Sequence, residues 1–578
     1  MSGPRLAVTP RSATGVWLRD QAWLPLWTLA MLVAIFSTGL MPLYSTRTLG
    51  VAWEMWSGGQ FLVPYSNGEP YSHKVPLLFW LIHAGWAVAG VGDVWPRLLE
   101  VCLGLTTLLL ARRLARVLWP DQSSVARLVP WLLAAFCYAF LFALQIMYEL
   151  LLCVCVLGAL NALVGRDAGQ RPAFAWFAVA VGAGLMSKGP VMLLHVACPF
   201  LLGPLWHPWA ASERRHWYLG GGLAIVFGCI VLLAWAFAAA QAGGEAYRNE
   251  LFFMQTAGRM VDSFDHARPW WWYLSMLPVL ALPWILWPRA WQAAWQFMRT
   301  ERGVGWRFLA CWLVPVFVAF ALVSGKQAYY LLPEAAGGAM VLAAGVASLA
   351  RRDRRASRIP GSAWLGLVLV SGATALLCLP QAVAAGRVES IWYIDLAAAS
   401  PLFALAGFVL GATLLLPARD DEAALRRGSS VSILATALIY MLFAQTLWPR
   451  FDLTPAARHL GALERAGVPL AHLDIYHNQF GVLGRLERPI AAFLPGQGDD
   501  WAAAHPDGRV IHYVRSLSAD DIRHAELVQP FRSDWLVIER ADHWLARKRG
   551  EAVAPSTSPP ALHPPGYWPY RALGVDER

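Results

Sequence analysis

Lys74, Lys188, Arg259 and Lys326 stand where a chain of apolar spans gives no topological reason for a cation. Most other basic residues crowd into one alternating set of loops, and these four fall in, or at the ends of, the opposite set. A charge beside a bilayer is costly unless a partner compensates it. Lysine is a point-charge ligand for phosphate, so an anionic lipid head group, most plainly a phosphate, is the partner that fits. The neighbours agree. Lys74 ends Tyr71-Ser72-His73-Lys74, Lys188 lies in Ser187-Lys188-Gly189-Pro190, and Lys326 lies in Ser324-Gly325-Lys326-Gln327-Ala328-Tyr329-Tyr330. Glycine lets backbone close on an anion, and Tyr71 and Tyr330 are placed to orient a donor or an acceptor. For a single lysine, snorkelling to the interface explains the position equally well. Three lysines on one face, each beside Gly, Tyr or His, point to one cavity that handles a phosphorylated lipid. Two acids could join them. Glu54 is a catalytic candidate that otherwise reads as a helix-surface or structural ion pair. Glu149 lies at the outer end of a span, where it serves as an acid or base or pairs with Lys188.

The elements that must hold these groups are membrane helices. Of 578 residues, 57% are hydrophobic and 15% charged, with a mean hydropathy of +0.45; a soluble domain carries nearer ~25% charge. The net charge of +10 would suit nucleic acid, but the excess sits in short interspan loops such as Arg351-Arg352-Asp353-Arg354-Arg355. That pattern is topological, and no nucleic-acid partner is expected. Apolar runs predict about thirteen spans, near 23–41, 96–111, 125–144, 149–164, 173–187, 190–206, 217–238, 270–288, 307–323, 331–349, 362–384, 400–416 and 430–447. Arg5/Arg11/Arg19, Arg112/Arg113/Arg116, Arg166/Arg171, Arg214/Arg215, Arg299/Arg302/Arg307, the Arg351–Arg358 cluster and Arg426/Arg427 share one set of loops, which the positive-inside rule makes cytoplasmic. The N-terminus is then cytoplasmic, and an odd span count places the C-terminal region outside.

Residues 1–450 read as the transmembrane part and 451–578 as a small α/β domain outside the membrane. The first outer loop, 42–95, is amphipathic; Thr46–Trp56 and Pro76–Trp86 read as helices lying in the interface, with Trp53, Trp56, Trp80 and Trp86 suited to that depth. Trp270-Trp271-Trp272-Tyr273 reads mainly as an interfacial belt. After Trp448, Ala471–Tyr476, Ile490–Phe493, Val510–Val514 and Trp535–Ile538 are predicted strands, and Pro455–Ala466 and Asp542–Arg549 predicted helices. The Pro/Ser-rich stretch 552–565 is expected to be irregular. All eight cysteines fall in or beside apolar stretches, and the Cys153/Cys155 spacing does not suit a zinc pair, so neither a disulfide framework nor a metal site is expected. No cofactor is implied. The first apolar run, from Trp23, reads as a retained span and not a cleaved leader.

Several segments in this order carry a resemblance: Trp53-Glu54-Met55 through Asn67-Gly68 to Lys74, Pro76-Leu77-Leu78-Phe79-Trp80, Arg97-Leu98, Ser187-Lys188-Gly189-Pro190, Arg259, Pro269 to Tyr273 with Pro283-Trp284, and Ser324 to Pro333. The chain resembles the bacterial lipid-linked-sugar transferases that include the aminoarabinose transferase acting on lipid A, relatives of the protein O-mannosyltransferases. The resemblance implies an all-α, multispan GT-C type membrane protein in the bacterial inner membrane, with a periplasmic C-terminal domain. It implies a polyprenyl-phosphate-linked sugar as donor and a lipid or glycan acceptor reached from the periplasm. In that frame Lys74, Lys188, Arg259 and Lys326 neutralise the donor phosphate, the leaving group, with Tyr71 and Tyr330 beside them. Family members usually open the first outer loop with Asp-Glu; here Tyr44 and Ser45 stand at those positions. Tyrosine, with a pKa of about 10, is a poor base at neutral pH. Either Glu149 or Glu54 serves, or the acceptor is already anionic, as a phosphate monoester with a second pKa of about 6 would be, or catalysis has been lost and the chain is a binding partner. A transporter of lipid-linked sugars is the other alternative; charges through the midplane would favour it, whereas here they collect on one face.

Overall fold

The structure, a computed structural model, describes residues 20–167, 169–252, 267–352, 362–556, 558–565, 567 and 570. Most of them are helical, and each predicted apolar run contains a helix. Among the described residues, five helices are long and apolar enough to cross a membrane: Val94–Leu118, Arg214–Ala242, Val304–Leu322, Ala363–Ala384 and Asp421–Thr446. Two bent pairs, Ser123–Ala134 with Cys137–Ala143 and Ile391–Ala397 with Pro401–Leu415, raise the number to seven if each is one span. Shorter apolar helices, among them Trp23–Ile35, Tyr148–Val164, Phe174–Lys188 and Val191–Leu201, pack between them. The run 270–288 departs from a continuous span: its helix covers only Trp272–Leu280 and is followed by a single 3-10 turn, Trp284–Leu286. Pro278, Pro283 and Pro288 account for this, since proline removes a helical donor and clashes with the preceding turn.

Apolar side chains from most of these helices form one main core, with Trp23, Trp86, Trp206, Trp217 and Trp312 among its largest fully buried members, while Trp235, Ala236 and Ala239 cluster separately with Val63 and Tyr247. At one end of the helical bundle, basic residues meet acids at helix starts. Asp20 pairs with Arg426 at 2.7 Å and Arg127 at 3.6 Å, and Arg289 pairs with Asp421 at 2.6 Å. Trp270 and Trp271 are exposed.

The first outer loop folds into helices Ser45–Ser57 and Leu77–Ala89 joined through a short hairpin, β1 (Tyr65–Ser66) and β2 (Glu69–Pro70). Asn67 and Gly68 turn it, both at positive φ (56° and 81°), the backbone that an Asn-Gly hairpin turn demands. The Ser45–Ser57 helix is not left on an open surface. Its Trp53 indole donates to the Leu486 carbonyl at 2.7 Å, and its Gly50 abuts Asn478, both from the C-terminal region.

That region holds a six-stranded mixed sheet in the order β4-β3-β5-β7-β6-β8, made of β3 (Leu470–His472), β4 (Ala491–Ala492), β5 (Arg509–Val514), β6 (Ala525–Phe531), β7 (Asp534–Arg540) and β8 (Ala561–Leu562). β3 pairs in parallel with β4 and β5, while β7 runs antiparallel between β5 and β6. In β7, Leu536 and Ile538 pack against the Thr454–Arg465 helix side, and Val537 packs on the other face. A strand covered on both faces reads as an unbroken apolar run, which Trp535–Ile538 does. Strands β6 and β8 were not expected. Pro530 argues against a strand, but it lies beyond the Leu527–Val528 pairing with β8, next to the hairpin turn at Arg532.

Candidate functional site

The site is built on the N-terminal turn of the Tyr148–Val164 helix. Tyr148 and Glu149 open that helix and are buried, 3% and 4% exposed. The last residue of the Phe174–Lys188 helix reaches across to them: the Lys188 ammonium donates to Glu149 Oε1 at 2.7 Å. The same ammonium lies over the rings of Tyr329 and Tyr330, 5.2 and 4.8 Å from their centroids. Gly189, at φ 67° and ψ −151°, ends the Lys188 helix in a backbone region that glycine adopts without strain. The Lys74 ammonium lies 5.0 Å over the Tyr148 ring, whose edge meets Phe79. Lys74, Tyr148, Glu149, Lys188, Tyr329 and Tyr330 therefore form one linked group. Arg47, from the first outer helix, and Tyr44 lie within electrostatic reach of Tyr329.

Two predicted site residues take different positions. Lys326 is 2% exposed, and its ammonium donates to the backbone carbonyls of Arg268, at 3.0 Å, and Val323. It fastens the Ser324–Gln327 turn to Ala267–Arg268, a contact that also includes the Ala267–Gly325 bridge. This turn leads directly into Tyr329 and Tyr330. Glu54 is engaged at both oxygens. Its Oε1 accepts from Asn67 N at 2.6 Å and from the Asn478 side-chain amide, and its Oε2 accepts from Gly68 N at 2.9 Å. Burial pushes the Glu54 carboxyl above its ordinary value, against the lowering effect of these hydrogen bonds. These contacts tie the hairpin to the C-terminal region, and they are hydrogen bonds to amides rather than the ion pair that was the alternative to catalysis. Tyr71, beside the His73 ring at 5.1 Å, packs against the helical core. Arg259 lies outside the described residues.

Three features escaped the sequence reading. Ser45 is buried, and its hydroxyl accepts from Ile146 N at 3.1 Å. Glu100 is fully buried, and its Oε1 accepts from Met147 N at 3.1 Å. Deeper in the bundle, His195 Nδ1 meets Glu334 Oε1 at 2.7 Å. An acid in the middle of an apolar helix was the available signal for Glu100; nothing in its own segment named the Met147 amide as its partner. Among the described residues, no group of three or more His, Cys, Asp or Glu side chains is arranged to hold a metal ion.

No family model matches the chain. Among curated proteins, it is 31% identical over 365 residues to an undecaprenyl phosphate-alpha-4-amino-4-deoxy-L-arabinose arabinosyl transferase 2 of Pseudomonas fluorescens, covering 60% of this chain and 65% of that one. It is 33% identical over 380 residues to the like-named transferase of Pseudomonas paraeruginosa, covering 61% of this chain and 65% of that one. The match thus spans a little under two thirds of those relatives. Among solved structures, ArnT from Cupriavidus metallidurans bound to undecaprenyl phosphate superposes with a TM-score of 0.66 at 16% identity, over 91% of this chain and 98% of that one. Its apo state gives 0.67, over 92% and 99%. The chain has the fold of these structures, and in sequence it resembles the undecaprenyl-phosphate aminoarabinose transferases.

Proposed function

We propose that the chain is a membrane glycosyltransferase that moves a sugar from a polyprenyl-phosphate donor to a lipid or glycan acceptor, such as lipid A, at the periplasmic face of the bacterial inner membrane. The observation that carries this reading is the buried Lys188–Glu149 pair, walled by Tyr329 and Tyr330 and joined through Tyr148 to Lys74. Two ammonium groups held on aromatic rings suit a dianionic leaving phosphate, and neutralising that charge in a water-poor site is a large catalytic contribution. Lys188 and Lys74 meet the phosphate, and Tyr71 and Tyr330 flank it; Arg259, which lies outside the described residues, stays a candidate from the sequence alone. Lys326 holds the Tyr329–Tyr330 segment in place. Glu149 takes a proton from the acceptor or orients Lys188. The whole assembly has about thirteen spans, with residues 1–450 in the membrane and 451–578 in the periplasm. The names of the curated relatives, and the undecaprenyl phosphate bound to ArnT from Cupriavidus metallidurans, support the donor class.

A second reading, a catalytically impaired relative that binds lipid-linked sugar, draws on Ser45. Neither Ser45, whose hydroxyl accepts from the Ile146 amide, nor Tyr44, which is 41% exposed, carries a carboxylate. The deciding test is sugar transfer from an undecaprenyl-phosphate-linked aminosugar to lipid A in proteoliposomes. Transfer by the native chain and its loss in Lys188→Ala support the enzyme. Tight binding of undecaprenyl phosphate with no transfer supports the binding protein.

A further inference from the structure

The Tyr148–Val164 helix begins without a capping side chain of its own: Met147, its N-cap, is extended (φ −143°, ψ 167°). Helix starts leave backbone N–H groups that need acceptors, and buried ones must find them. Here two acceptors from other elements hold the N-cap amide and the one before it. The Ser45 hydroxyl, from the first outer helix, accepts from Ile146 N, and the Glu100 carboxyl, from the Val94–Leu118 helix, accepts from Met147 N, each at 3.1 Å. Glu100 is 0% exposed, and its Oε2 has no hydrogen-bond partner among the described residues. Its neighbour Arg97 is turned away, donating to Asp93, at 2.9 Å, and to the Ile35 and Thr38 carbonyls. The Glu149 carboxylate lies within electrostatic reach of Glu100, and Lys188 is already paired with Glu149.

We propose that Glu100 is a positioning residue for the site: by accepting the Met147 amide it fixes the turn from which Tyr148 and Glu149 project, and so sets the placement of Lys188 and Lys74. This deepens the transferase reading and rests on it for its catalytic consequence, though not for its structural one. A second buried negative charge beside Glu149 is unfavourable, so the role depends on the acceptor oxygen and its reach. Glutamine keeps both. Methionine keeps the volume and loses the acceptor. Aspartate keeps the carboxyl and shortens the reach by one methylene.

The test reads two quantities in the full chain in detergent or proteoliposomes: hydrogen–deuterium exchange of a peptide containing Ile146–Tyr148, and the kcat and KM of transfer from the undecaprenyl-phosphate-linked aminosugar. In Glu100→Met, exchange should rise and kcat fall by about ten-fold or more, the factor set by one unsatisfied buried amide, with KM for the donor little changed. Glu100→Gln should recover most of both losses. If Glu100→Met does not fold, Glu100→Asp stands in, and it should be impaired where Glu100→Gln is not. Unchanged exchange in the Met variant, or a Gln variant as impaired as the Met or Asp one, would overturn the proposal. If the native chain transfers no sugar, the function reading fails while the exchange measurement still decides the positioning role.

Discussion

The Lys188 ammonium already has a carboxylate 2.7 Å away, so an incoming phosphate must share it or displace Glu149. That competition makes Glu149→Gln informative, because it keeps the shape and removes the charge. If Glu149 is the base or fixes Lys188, transfer should fall by roughly 10- to 100-fold, the equivalent of a charge-assisted hydrogen bond of about 1.5–3 kcal/mol. Ser45→Ala should cost less, since it removes a neutral hydrogen bond to Ile146 N and no charge. Tyr44→Asp should not abolish transfer, because Tyr44 is 41% exposed and outside the Lys188–Glu149 pair. Full activity in Glu149→Gln would remove it as base and charge partner alike. Lys74→Ala should weaken donor binding, read as the Kd for undecaprenyl phosphate, by about 10-fold or more, as loss of a charged phosphate ligand implies. The sequence displayed Lys74, Lys188 and Glu149 because charges at span ends need partners. It offered the Glu149–Lys188 pairing as one alternative, but not the seating of Lys74 on Tyr148 or of Lys188 on Tyr329 and Tyr330. Lys326 resembles Lys188 in sequence, each lying next to a glycine and close to a serine, yet its ammonium folds back onto backbone carbonyls.

At the scale of elements, the hairpin and the C-terminal region are held together by exchanged polar contacts. Asn67 both donates to the Ile490 carbonyl, at 2.9 Å, and accepts from Ile490 N, at 2.8 Å, while Glu54 bridges the turn to Asn478. Glu54→Ala leaves the Asn67 and Gly68 amides without that acceptor and should destabilise the contact by about 1–3 kcal/mol, seen as faster protease cleavage of the 58–76 stretch. Glu526, on β6, anchors a second junction. Burial alone would raise its carboxyl, but His459, on the Thr454–Arg465 helix, and Arg509, on β5, overcome that and hold it at about 2. A carboxyl lowered on folding stabilises above its unfolded value, ordinarily 4.5, and loses that contribution as pH falls from about 4.5 to about 2. The native C-terminal region should therefore lose stability over that window in acid titration, on the order of 3 kcal/mol at about 1.4 kcal/mol per unit, and Glu526→Gln should show a flatter acid limb. The strands β3, β5 and β7 were legible as short apolar runs, as were the helices Thr454–Arg465 and Ala541–Lys548. β6 was not, because Gln529 and Pro530 interrupt its pattern. Gln529 is buried for a reason only the fold supplies: its amide accepts from Ala456 N and donates to the Asp452 carbonyl.

For the whole molecule, the contacts between the first outer loop and the C-terminal region bear on topology. Counting spans puts residues 451–578 outside, and a count is fragile: one run, 270–288, holds a nine-residue helix and a single 3-10 turn. The contacts do not depend on the count. Trp53 donates to the Leu486 carbonyl, Arg485 donates to the Val91 carbonyl at 2.9 Å, and Asn67 pairs with Ile490, so segments 53–91 and 485–490 share one side of the membrane. The opposite end of the bundle gathers Arg127 and Arg426 around Asp20, and Arg289 on Asp421, which is where the positive-inside rule expects the cytoplasm. Tyr148–Val164 and Phe174–Lys188, at 17 and 15 residues, are shorter than the ~20 of an average span. Both lines lead to the same expectation: an alkaline phosphatase fused after Arg450 should be active in the periplasm, and so should one fused in the first loop after Gly90. A cytoplasmic reporter working at Arg450 while phosphatase works at Gly90 would contradict the contact between the two segments. A cytoplasmic reporter working at both would reverse the orientation and move the Lys74–Lys188 group to the cytoplasmic face, where a periplasmic acceptor could not meet it.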